Sequence, residues 1–158
     1  MDINYLDKET AIVGQVSLSR YDVGRTLLDG FRRWRRLAEG NLSAVGLRLA
    51  EFRVLVVLSV GPCSMVTLAG EQEMTAPAMT LVVDKLEGLG LARRVRSDAD
   101  RRMVNVAITG KGGEILRRAR KLHDRFIERS MHDASSQEID SFLVFLNAMV
   151  VAAEGFEQ

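Results

Sequence analysis

Residues 75–110 read TAPAMTLVVDKLEGLGLARRVRSDADRRMVNVAITG, and within them the hydrophobic period changes from that of a helix to that of a strand. Over 76–89, Met79, Val82, Val83 and Leu86 recur at helical steps and form one inward stripe. Thr75 is placed to cap this helix, its hydroxyl accepting from an orphan backbone N–H. Pro77 falls in the first turn, where a missing donor costs nothing. Gly88 or Gly90 closes the helix. Over 92–96 and 103–108 the pattern alternates with period two, most clearly at Val104, Val106 and Ile108. The polar stretch 97–102 between them predicts a β-hairpin with a charged tip.

Upstream, 65–72 predicts a short helix, and 49–60 a helix that Phe52, Val54, Leu55, Val56, Val57 and Leu58 make apolar on nearly every side. Gly61-Pro62 ends it, because a proline pushes the preceding residue out of the helical region. Further out, Val23, Leu27, Phe31, Trp34 and Ala38 predict an amphipathic helix over 21–38, with Gly40-Asn41 as its stop signal. Residues 1–19 read as a weakly anchored arm. Downstream, Thr109 caps a long helix reaching about Met131, and Ser135-Ser136-Gln137-Glu138 resembles a capping box opening a last apolar helix.

A short helix, a turn, a second helix and then a charged hairpin make the winged form of the helix-turn-helix. The expected fold is therefore mainly α with a small β-hairpin wing, an α+β winged helix-turn-helix. The chain divides into an arm and helix over 1–46, a winged lobe over 47–110 and C-terminal helices over 111–158.

The 158 residues carry a net charge of only +1, so the distribution of charge matters more than its sum. Between 93 and 102 stand Arg93, Arg94, Arg96, Arg101 and Arg102 against Asp98 and Asp100, a surplus of +3. Arginine at a narrow hairpin tip can enter the minor groove of DNA, and Asp100 is placed to orient Arg102. On the second helix, Thr75, Ala76, Ala78, Thr80, Leu81, Asp84 and Lys85 face outward. The hydroxyls suit phosphates or base edges, and alanine or a threonine methyl suits a thymine methyl.

Enzymatic readings find no nucleophile–base pair. Gly110-Lys111-Gly112-Gly113 lacks the ending of a phosphate-binding loop and reads as the entry to a helix. One cysteine, Cys63, gives no disulfide, and with His123 and His132 no metal spacing; Cys63 reads as a small buried residue rather than a thiol switch. No cofactor or catalytic residue is expected. The N-terminal residues do not form a signal peptide, and the apolar run 54–60 is too short for a bilayer, so a cytoplasmic protein without membrane contact is expected.

From about Leu47 to Leu116 the chain resembles the MarR family of winged-helix regulators. The matching stretches are LAEFRVL at 49–55, Gly61-Pro62, TAPAMTLVVDKLEGLGLARR at 75–94, DADRR at 98–102 and ITGKG at 108–112. The resemblance implies a homodimer with interlocked N- and C-terminal helices, bound to a pseudo-palindromic site in double-stranded DNA. It implies that Arg102 is the minor-groove arginine with Asp100 as its partner, and that Arg101, Arg93 and Arg94 meet the backbone. Ser64, Thr75, Ala76, Pro77, Ala78, Thr80 and Lys85 complete the expected DNA-contacting set. It also implies a small anionic aromatic effector, for which Phe31, Trp34 and Arg35 are lining candidates; plain dimer-core packing of Phe31 and Trp34 is the competing reading.

Three departures from the family pattern stand out. Ala76 replaces a basic residue, Leu81 replaces an arginine, and Gln72-Glu73 replace leucine and glycine. These keep open a second class of function, a winged-helix protein-interaction module with weak or lost DNA affinity.

Overall fold

The computed structural model describes residues 19–96 and 104–155. Two compact units meet in sequence at Gly40, within the first helix, α1 (Arg20–Ser43). Ser19 opens α1: its hydroxyl accepts from Asp22 N–H at 3.2 Å, and the Asp22 carboxylate accepts from Ser19 N–H at 3.3 Å. The expected stop at Gly40-Asn41 is corrected. The helix runs on to Ser43 because Leu42 is wholly buried and Asn41 Nδ2 donates to the Leu122 carbonyl at 2.8 Å. Burying a leucine is worth about 1.5–3 kcal/mol, more than the roughly 1 kcal/mol that a helical glycine costs. Gly46, at φ +75°, makes the turn that follows.

In the second unit, α2 (Leu49–Leu58) is buried at Phe52, Val54, Leu55 and Leu58, as its all-round apolar pattern requires. It gives way at Ser59, just ahead of Gly61-Pro62. There follow β1 (Cys63–Ser64), α3 (Met65–Glu71), α4 (Ala76–Gly88), β2 (Ala92–Arg96) and β3 (Val104–Ile108). The sheet is antiparallel in the order β1-β3-β2, with Arg94 opposite Val106 and Cys63 also opposite Val106. The two-residue β1 carries no alternation, so periodicity could not have shown it. Met79, Val83 and Leu86 of α4 enter one core with Leu55, Leu68 and Val106.

The long α5 (Gly110–Ser130) adds Leu116 and Ala119 to that core. The last helix, α6 (Ser136–Glu154), starts at a true capping box: Ser135 Oγ accepts from Glu138 N–H at 3.3 Å and Glu138 returns the bond to Ser135 N–H at 2.8 Å. The Ser135 hydroxyl, and then its N–H, hold the Glu138 carboxyl below its ordinary 4.5. No residue of α6 is buried, although Leu143, Val144 and Val151 are each more than half exposed. By length and composition α6 is long and apolar enough to cross a membrane, a feature the run 54–60 lacks.

The glycine-rich stretch is the joint between wing and α5. Thr109 Oγ1 accepts from Gly112 N–H at 3.0 Å and donates to the Gly90 carbonyl at 2.7 Å, while Lys111 Nζ reaches the Leu89 carbonyl at 2.8 Å. Gly112 sits so close to the Leu91 carbonyl that a Cβ would overlap it, and would stand 2.8 Å from Ile108 Cγ1. The stretch is thus a packing device. Gly112→Ala is expected to lower unfolding stability by about 1–3 kcal/mol in a urea titration, whereas Gly113→Ala, with open space at its Cα, leaves it nearly unchanged.

Candidate nucleic-acid interface

The outward face of α4 begins at its cap. Thr75 Oγ1 accepts from Ala78 N–H at 3.4 Å, and its own proton remains for a phosphate oxygen. The first-turn N–H groups and the helix dipole favour an anion at the same end. Ala76, Pro77, Thr80 and Leu81 are exposed and Ala78 is half-buried. Thr80 Oγ1 donates to the Ala76 carbonyl at 3.0 Å. Ser64 is the cap of α3, its oxygen accepting from Thr67 N–H at 3.1 Å.

Two residues expected among the DNA contacts are exposed but ion-paired to carboxylates of the lobe. Lys85 Nζ lies 2.6 Å from Glu51 Oε1, and Glu51 is 3% exposed. The other Glu51 oxygen accepts from Arg48 N–H at 2.8 Å. A carboxylate that deep needs a cation and hydrogen bonds, and the Lys85 ammonium, on a side chain 45% exposed, supplies the cation to α2. Arg94 is the second. Its Nη2 donates to Asp84 Oδ1 at 2.8 Å, its Nη1 pairs with Glu87, and its N–H donates to Glu87 Oε1 at 2.6 Å. The Asp84 carboxylate, with Glu87 behind it, holds the guanidinium firmly charged. Strand pleating explains the choice: Arg94 shares a face with the buried Ala92, whereas Arg93 lies on the opposite one, exposed.

The hairpin's last described rung pairs Arg96 with Val104. Asp100, Arg101 and Arg102 lie outside the described residues. On α1, Phe31, Trp34 and Arg35 fall at helical steps on one face; Phe31 and Arg35 are exposed and Trp34 is half-buried.

The MarR family profile matches residues 45–103, the whole helix-turn-helix and half the wing. The transcriptional regulator BldR from Sulfolobus solfataricus is 30% identical, superposes with a TM-score of 0.71, and pairs 85% of this chain with 99% of its own. This chain belongs to the MarR family. The HTH-type regulator YkoM of Bacillus subtilis is 31% identical over 102 residues, 64% of this chain and 66% of that protein, just under two thirds. The transcriptional repressor CouR, solved on a 23-mer DNA duplex, is 28% identical with a TM-score of 0.73 over 85% of this chain and 99% of its own. A MarR-family regulator fold, winged and DNA-binding in kind, is thereby established.

Against the MarR pattern, Glu73 holds φ +51°, the left-handed conformation for which the family's glycine is suited. A non-glycine residue there costs about 1–2 kcal/mol. The clamps Glu51–Lys85 and Arg94–Asp84–Glu87 were missed from sequence, though signals existed. Glu51 is a lone acid in an otherwise apolar helix face, and Asp84 and Glu87 stand at helical spacing just before an arginine-rich strand.

Cys63 is half-buried in β1. Burial first, and Glu71 second, push its thiol above the ordinary 9.0. Only the thiolate attacks, so the reactive fraction at neutral pH falls below that of a free thiol. Alkylation of Cys63 by iodoacetamide is expected to be slower than that of glutathione at pH 7 and to keep rising beyond pH 9; a fast reaction at pH 7 would return Cys63 to the thiol-switch class.

Proposed function

We propose that this MarR-family chain is a sequence-specific, double-stranded DNA-binding transcriptional regulator, a ligand-responsive repressor that grips a pseudo-palindromic operator as a homodimer. One observation carries the reading: an exposed, Thr75-capped α4 is locked by Arg94 to an arginine-rich hairpin, so helix and wing reach a duplex as one body. Thr75, Ala76, Pro77, Ala78 and Thr80 address the major groove, and Ser64 caps the supporting helix beside it. Arg93 and Arg101 meet phosphates, and Arg102, oriented by Asp100, enters the minor groove. CouR, a relative seen on duplex DNA, supports the same docking for this fold.

Dimerisation is supported by α6. Phe142, Phe145 and Met149 form one stripe, and Leu143, Leu146 and Val150 another, on a helix with no buried residue. Apolar surface of that extent requires a cover, and a second copy of the same helix supplies it. The effector proposed is a small anionic aromatic molecule meeting Phe31, Trp34 and Arg35, the rings stacking and the guanidinium pairing with the acid. It would act by favouring one spacing of the two α4 helices. The chemistry proposed is binding alone, without a cofactor and without an enzymatic step, in the cytoplasm.

The exposure of Leu81, 72%, favours a second reading, a protein-interaction module of the same fold. Salt separates the two, since counterion release makes DNA affinity fall steeply with ionic strength.

Retention of genomic fragments by the purified protein, with sequencing of what is held, is expected to yield an AT-rich pseudo-palindrome. Its half-sites should lie about one helical turn apart, and Arg102→Ala should weaken retention. Absence of enrichment at low salt would instead favour the interaction module. On the enriched duplex, Arg93→Ala is expected to flatten the slope of log affinity against log salt by about 0.9 per subunit. Arg94→Ala should lower affinity while leaving that slope unchanged, because its charge faces Asp84 and Glu87 rather than a phosphate.

A further inference from the structure

Every polar side chain of the recognition helix has an assignment in the lobe, and this decides what the helix can read. Guanine is read by arginine or lysine, adenine by asparagine or glutamine, and cytosine by a carboxylate. Over Ala76–Gly88 there is no arginine, asparagine, glutamine or histidine. Lys85, the one cation, holds the buried Glu51, and the two carboxylates, Asp84 and Glu87, hold Arg94. The Thr80 proton is on the Ala76 carbonyl, which leaves a methyl and acceptor lone pairs outward. Beyond those lone pairs, what the outward face presents is apolar. Leu81 is 72% exposed, and Pro77 stands one turn before it on the same face.

The thymine C5-methyl is the one apolar group that a base presents in the major groove. Resting on the DNA-binding reading above, we propose that Leu81, flanked by Pro77, is the specificity-determining residue of this helix and reads thymine methyl groups. The half-site is recognised by apolar contact rather than by bidentate hydrogen bonding. The exposure of Leu81 follows from this use: a leucine with no partner inside the lobe is covered only when the duplex docks.

Deoxyuridine removes the methyl and leaves the Watson–Crick edge and backbone unchanged. On the duplex retained in the fragment selection, each thymine of one half-site is replaced singly by deoxyuridine and affinity is measured by fluorescence anisotropy. At one or two positions affinity should fall about fourfold, the worth of one buried methyl. Leu81→Ala should bind thymine and uracil equally there, with the wild-type salt slope retained because a neutral side chain neutralises no phosphate. Leu81→Met, which keeps an apolar side chain of similar size, should preserve the methyl dependence and shows that the lobe folds with position 81 altered. Indifference to uracil at every position of a retained duplex, or methyl dependence that survives in Leu81→Ala, overturns the proposal while leaving the DNA-binding reading standing. Failure to retain any duplex overturns both.

Discussion

The guanidinium of Arg94, lying between Asp84 and Glu87, is the interaction on which the geometry of the lobe depends. One planar group closes two carboxylates on α4 while its own backbone N–H binds a third oxygen, so strand β2 and helix α4 are joined through side chain and main chain together. The pair is partly exposed, the Arg94 side chain being 35% accessible, and so its contribution to overall stability is modest. Its importance is directional. A fork with fixed donor geometry holds the hairpin at one angle to the helix. On the proposed DNA-binding reading, two elements reaching adjacent grooves of one duplex gain most from such a constraint.

The Glu51–Lys85 bridge does for the other side of α4 what Arg94 does for the wing. A carboxylate 3% exposed beneath a helix would carry a heavy desolvation cost if unpaired. Lys85 supplies the charge and Arg48 N–H a hydrogen bond, at 2.6 and 2.8 Å. Buried pairs of this sort are weak stabilisers compared with apolar packing, but they tolerate few alternative arrangements. Helix α4 is thus pinned to α2 through Lys85 and to β2 through Asp84 and Glu87, while Met79, Val83 and Leu86 enter the core. The turn before it is held too, since Glu73 keeps φ +51° without the freedom of glycine. That conformation persists because Met74 N–H and Glu73 N–H bond back to the carbonyls of Ala69 and Gly70.

The elements of this fold were legible where a long period had room to repeat. The stripe through Met79, Val83 and Leu86, a strand over 104–108 and the caps at Thr75, Thr109 and Ser135 all reappear in the structure, although burial in that strand falls on the adjacent Val106 and Ala107 and leaves Val104 exposed. Illegibility had physical causes. The end of α1 was misread because a local stop signal, Gly40-Asn41, competes with the non-local burial of Leu42. Strand β1 is two residues long and exists because β3 offers it an edge. Among the expected site residues, Thr75, Thr80, Arg93, Lys85 and Arg94 are all exposed, but Lys85 and Arg94 are already paired to carboxylates of the lobe. Composition marks a basic side chain as a potential phosphate ligand, but it cannot show a carboxylate waiting across the fold, 34 residues away for Glu51 and Lys85. The wing tip, with Asp100, Arg101 and Arg102, lies outside the described residues, so its assignment still rests on the family pattern.

On the proposed reading, these pairings divide the labour of recognition between the two projecting elements. If it binds DNA in this way, a chain of net charge +1 must concentrate its cations where they count, and 93–102 carries a formal surplus of +3, of which Arg94 is already paired to Asp84 and Glu87. The two clamps pair Lys85 and Arg94 with carboxylates, so on that reading the attraction comes chiefly from the hairpin's other arginines and from the N-terminus of α4. Electrostatic attraction of this kind is indifferent to sequence and sensitive to salt. The exposed surface of α4 is the converse, since an apolar face is nearly insensitive to salt and distinguishes bases only by their methyl groups. On the proposed reading, a duplex is held by one element and identified by the other. The bridge through Arg94, by fixing β2 to α4, is what would set that holding and identifying at a single register.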